Sequence, residues 1–301
     1  MHRQQYPPQS AADPFVDRSS GRWLLGAGIS ILILFGSYLL AVWTPMGQAL
    51  ENAALRGADQ VNRQDVSDAN NALHAITIVS LGLAIVVVVA IALVRRRPDL
   101  AVAGAGVIVL GQVITQGLKR FVLPRPELVE VTGNYTQNSF PSGHTTIAMT
   151  VLFALIIVVP YRWRGVMMFF VWPWAVGIGA YTITAKWHRF SDTLGAMAVA
   201  LLCACLASWW LARRGQVTRH TGRAYSGRVV LVVVIALSAA VALALGGFLW
   251  AAGFAQGEDF TQPDSIWDYN AYLGANTLAA GCAGVATLAF WALWHRRRVG
   301  A

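Results

Sequence analysis

Three polar clusters between residues 119 and 192 decide how this chain is read: Lys119-Arg120-Phe121-Val122-Leu123-Pro124-Arg125-Pro126, then Pro141-Ser142-Gly143-His144, then His188-Arg189-Phe190-Ser191-Asp192. Each stands at the end of an apolar run. An unpaired charge near hydrocarbon costs roughly 2.5–3.5 kcal/mol on insertion scales, so charged groups there need a reason.

Outward from these clusters the chain is a series of apolar segments. Hydrophobic residues make up 56% of the 301 and charged residues only 12%, where a soluble domain averages about a quarter charged. The expected fold is all-α and polytopic, with eight transmembrane helices near 22–43, 73–94, 100–118, 144–160, 166–185, 191–211, 229–250 and 272–294. Trp23 and Trp43 bracket the first at interface positions. Residues 1–20 read as a disordered cytoplasmic tail, 21–211 as a six-span core, and 212–301 as two additional spans. Those two are joined by an acidic outer loop, 253–271, which either covers the site, meets a partner or is simply solvated. In residues 45–72, Leu50, Ala54, Ala58 and Val61 recur at helical spacing. That pattern fits a helix on the membrane surface or one packed on its neighbours.

Charge placement sets the expected orientation. Eight spans put both termini on one side, and the tails and loops of that side hold 16 of the 23 Lys/Arg residues. Acidic residues divide the other way, three against eleven. Both termini are therefore expected in the cytoplasm, the loop 212–228 is basic and cytoplasmic, and the three clusters face the outer side. The formal charge of +9 is spread in short runs between spans, which argues against a nucleic-acid partner. Cys203, Cys205 and Cys282 fall inside apolar segments and read as small packing residues rather than a disulfide or metal set. The span interiors carry almost no ionisable residues, unlike an ion pathway.

The clusters suit phosphate chemistry. Lys119 and Arg125 offer a point charge and a two-pronged donor, and two prolines stiffen the turn around Arg125. Pro141 and Ser142 suit a helix start, whose free N–H groups form an anion site. Gly143 lets an oxyanion approach the backbone, and His144 can give or take a proton. His188 and Asp192 are four apart, on one face of a helix start, so the carboxylate can hold the imidazole with one nitrogen free. Plainer readings are basic residues flanking spans, a capped helix with an interfacial histidine, and a His–Asp pair stabilising a helix terminus.

Together these residues resemble the type 2 phosphatidic acid phosphatase family, membrane lipid-phosphate phosphatases related to vanadium haloperoxidases. That family's pattern is Lys-x6-Arg-Pro, Pro-Ser-Gly-His and Ser-Arg-x5-His-x3-Asp, and the resemblance covers about residues 73–211. It implies that His188 attacks phosphorus, Asp192 orients it, His144 protonates the leaving oxygen, and Lys119, Arg125, Ser142 and the Gly143 amide bind phosphate oxygens. It implies no metal and no cofactor. Two departures stand out. Lys119 and Arg125 are separated by five residues, so Arg120 can share the lysine's role; Tyr181-Thr182 stands where Ser-Arg is expected, leaving Arg189 or Lys186 to supply the charge. The expected activity is hydrolysis of a lipid (di)phosphate, polyprenyl first, through a phosphohistidine at the extracytoplasmic face of a bacterial plasma membrane. The alternatives are a lipid phosphotransferase of the same fold, and a lipid-phosphate-binding scaffold for a cell-envelope enzyme.

Overall fold

The computed structural model describes residues 20–131, 137–222 and 226–299, so the tail expected over 1–20 lies, but for Ser20, outside the described residues. Ten helices follow in order: α1 Gly21–Val42, α2 Pro45–Gly57, α3 Arg63–His74, α4 Ile78–Val94, α5 Pro98–Gly117, α6 Gly143–Val158, α7 Arg164–Thr184, α8 Phe190–Arg213, α9 Ser226–Ala255 and α10 Ser265–Leu293. Among the described residues the fold is all-α apart from one short antiparallel ladder, β1 Val217–Arg219 on β2 Arg297–Val299.

Every apolar run of the sequence forms a helix, but not all of them are long enough to span. Among the described residues six are long and apolar enough to cross a membrane, or up to seven if the bent pair α3–α4 is one span. The eight-span expectation differs at two places. The second run breaks at residues 75–77, where Thr77 and Ser80 form a reciprocal capping box and the chain bends by 61°. The fourth run, α6, has 16 residues, about 24 Å, and is buried almost throughout rather than facing lipid.

α8 is the packing axis, lying against α1, α5, α6 and α10. Its small residues allow this: an added Cβ at Gly195 would lie 2.5 Å from the Phe140 ring. Cys203 and Cys205 are buried free thiols in the same helix. Trp23 is buried against Phe290 and Trp294 instead of lying at an interface, while Trp43 is exposed.

The polar stretch after α1 is not a surface helix. α2 is buried along nearly its whole length, Gln48, Glu51 and Asn52 included. It docks on α10, where Gly57 passes so close that an added Cβ would lie 1.9 Å from the Asp268 carbonyl oxygen. Arg56 grips Asp268 through Nε and Nη2 at 2.8 and 2.7 Å. The acidic outer loop is correspondingly shorter than expected. Asp264 caps α10 by accepting the Ile266 and Trp267 N–H groups, so Trp267, Tyr269 and Tyr272 belong to the helix.

Candidate active site

α5 and α7 end, and α6 and α8 begin, at one end of the bundle, which brings the three clusters together. Ser142 caps α6 by accepting the Thr145 N–H at 3.3 Å. Its own N–H donates to the Asp192 carbonyl at 2.9 Å, tying the α6 start to the first turn of α8. Between α7 and α8 the chain reverses tightly, with Lys186 in the left-handed region at φ 59°. The Thr182 carbonyl accepts both the Trp187 and His188 N–H groups at 3.0 Å and so fixes where the imidazole stands.

His188 Nδ1 lies 3.2 Å from Asp192 Oδ2. The same oxygen accepts the Arg189 N–H at 2.9 Å and the Ser139 hydroxyl. A fully buried carboxylate held this way fixes the imidazole's orientation and leaves Nε2 as the nitrogen that the carboxylate does not engage. Burial pulls the His188 imidazole below its usual range, against the raising effect of its bond to Asp192.

A cavity of about 360 Å³ opens beside His188. Lys119, Ser139, Lys186, Trp187 and Arg189 share its wall. Lys119 sits on a π-helical turn, Leu118–Val122, that extends α5. His144 stacks edge-on against Trp187 at 5.1 Å between ring centroids and lies 6.5 Å from the His188 ring. An added Cβ at Gly143 would meet only Gln116 Nε2, at 3.4 Å, so packing does not demand the glycine.

The cations expected at a phosphate are divided. Arg189 is buried, lines the cavity and donates to Ser139 Oγ at 3.3 Å. Burial and the nearby Arg125 pull its guanidinium below the usual range. Arg120 is exposed and forms no part of the cavity wall, because the turn that directs Lys119 inward turns it out. Lys186 stands in the wall but pairs with Asp59. Ser142 is wholly buried and serves as the α6 cap. Arg125 faces Glu51 Oε2 at 3.4 Å, both side chains buried.

Glu51, Gln48, Asn138 and Ser139 were not picked out from the sequence. Gln48 holds the Arg125 turn from both sides: its Nε2 donates to the Pro126 carbonyl at 2.7 Å and its Oε1 accepts the Leu128 N–H at 3.1 Å. The Tyr38 hydroxyl donates to the Pro124 carbonyl. Glu51 accepts the Ser191 N–H at 2.8 Å. Burial pushes its carboxyl above the usual range despite the opposing pull of Arg125. Asn138 Nδ2 donates to the Lys119 and Leu123 carbonyls at 2.9 and 2.6 Å, joining the first cluster to the second.

Comparison with known proteins adds one finding. Residues 71–216 match the model of the PAP2 superfamily. No curated protein and no solved structure matches the chain. The matched segment contains all three clusters but not α2, which brings Glu51, nor α9 and α10. Residues 71–216, just under half of the chain, are thus similar to the PAP2 superfamily, whose members are generally phosphatases.

Proposed function

We propose that this protein hydrolyses a lipid phosphate or diphosphate at the extracytoplasmic face of the membrane, through a phosphohistidine. The observation that carries this is the buried His188–Asp192 pair, 3.2 Å apart, with the His144 ring 6.5 Å from that of His188. A binding site alone has little use for two placed imidazoles. In the reaction His188 Nε2 attacks phosphorus, the bond to the leaving oxygen breaks, and His144 gives that oxygen a proton. Water then attacks the same phosphorus while giving a proton back to His144, the N–P bond breaks, His188 is regenerated and inorganic phosphate leaves. Lys119 and Arg189 neutralise the charge that develops on the phosphoryl oxygens. Arg189 thereby replaces, from another backbone position, the arginine whose place Thr182 takes.

The segregation of basic and acidic loops supports cytoplasmic termini and an outward-facing site, with α3–α4 and α6 completing eight passages. A polyprenyl (di)phosphate is the favoured substrate, ahead of phosphatidylglycerol phosphate and phosphatidic acid, because such carriers need phosphate removed on that face. The engagement of Arg125 by Glu51 favours one second reading, a lipid-phosphate-binding scaffold of weak turnover.

The test is phosphate release by purified protein from these lipid phosphates, with His188→Ala and His144→Ala as controls. Release abolished by both substitutions is expected. Tight lipid binding without release from any substrate would establish the second reading.

A further inference from the structure

The opposite end of the bundle, where α7 begins and α10 ends, holds a second cavity of about 300 Å³ that the phosphatase chemistry does not use. Its inner wall is cationic and aromatic. Arg164 is 2% exposed, yet its Nε has no hydrogen-bond partner. Its Nη1 donates to the Arg297 carbonyl at 2.8 Å, and its guanidinium carbon lies 4.8 Å from the centre of the Trp294 ring. The ionisable groups acting on Arg164 are the cations Arg228 and Arg95 and, opposing them, the Tyr161 phenol. Arg228 stacks over Tyr161 at 3.7 Å, and the His220 ring lies 4.0 Å from the same ring. Among the described residues the one carboxylate at this end is Asp99, held in a fork by Arg97 at 2.9 and 2.7 Å.

A guanidinium buried among other cations, with a donor left over, is stable only when an anion reaches it. Two guanidinium groups lining one cavity offer the planar forks that bind phosphate oxygens. The outer wall says what the anion is attached to. Val229, Val232 and Val233 complete the cavity, and the same flank of α9 continues as exposed Val230, Val234 and Leu237. α9 is one of the six described helices long and apolar enough to cross a membrane, so that flank offers a track for an acyl chain. We propose that this cavity binds the headgroup phosphate of an anionic phospholipid from the leaflet opposite the histidine site, with the lipid tail lying along α9. The inference is independent of the phosphatase reading.

The test is native mass spectrometry of the full-length protein in detergent, titrated with phosphatidylglycerol. As a phosphodiester, that lipid is not a phosphatase substrate. Parallel titrations use phosphatidylcholine and inorganic phosphate. One retained phosphatidylglycerol is expected, weakened about tenfold or more by Arg164→Gln, with phosphatidylcholine not retained. Val232→Trp fills the cavity and leaves both arginines in place; it should abolish retention as well, and it decides the matter if Arg164→Gln does not fold. Equal retention by the wild type and Val232→Trp overturns the proposal. Saturation by inorganic phosphate with no lipid retained overturns the lipid assignment.

Discussion

Arg125 and Glu51 face each other at 3.4 Å, both nearly solvent-free, across 74 residues of sequence. The carboxylate comes from a helix outside the PAP2-matched segment, and it occupies the arginine expected to take a phosphate oxygen. Desolvation outweighs attraction here: the net effect raises the Glu51 carboxyl above 4.5. Burial thus drives this carboxyl toward its neutral form, which an amide of the same shape mimics.

Glu51→Gln should therefore fold at least as stably as the wild type. The sign follows from proton binding: the folded state holds this proton more tightly than the unfolded chain. The carboxyl's stabilising contribution is present at low pH and is lost as pH rises through the raised value. The stability advantage of Glu51→Gln should grow over that window, as read by thermal unfolding in detergent across pH. By contrast, Glu51→Ala orphans the Ser191 N–H and Arg125 and should lose about 3–5 kcal/mol.

Arg189→Ala should lower turnover on the order of 10²–10³-fold, the loss expected when one transition-state donor is removed. Arg120→Ala, exposed and away from the cavity wall, should leave it unchanged within a small factor. Steady-state kinetics on the substrate identified by the panel measures both. Unchanged turnover in Arg189→Ala rules out its compensating role.

The acidic limb of the kcat/KM profile should fall below 6.5, because burial pulls His188 below that value and the attacking nitrogen stays neutral to lower pH. His188→Ala should cost on the order of 10⁴-fold or more in turnover. A limb at or above the ordinary imidazole value would mean that His188 is not the group titrating.

Two glycine substitutions test the scaffold. Gly195→Ala drives a methyl into the Phe140 ring and should cost about 1–3 kcal/mol. Because Phe140 lies between Ser139 and the α6 start, activity should fall with it. Gly57→Ala should prise α2 from α10, since the Asp268 backbone occupies the space its methyl needs. Thermal unfolding alongside turnover separates a loosened bundle from a displaced site.

What the sequence disclosed was the part written at short range. His188 and Asp192 are four apart on one helix, and Ser142 caps α6 where Pro-Ser announced a helix start. The apolar runs located every long helix. Asp264 is an equally local start signal for α10, followed by an acid in the first turn, but it stands among the acidic residues expected to form the outer loop. Glu51 offered no such signal. Helical spacing gave α2 a face, but not that a turn some 80 residues on would bury Gln48 and Glu51 beneath it. Burial of polar side chains by tertiary contact has no period to detect.

The Thr182 carbonyl that positions His188 would do the same beneath any side chain, the arginine of the family's pattern included. The space is another matter. Thr182 is fully enclosed, and its hydroxyl is turned back onto the Gly179 carbonyl at 2.7 Å. An arginine at this position would force a guanidinium into a sealed interior, so Thr182→Arg is expected to unfold the end of α7 unless the neighbours of Thr182 are made smaller as well.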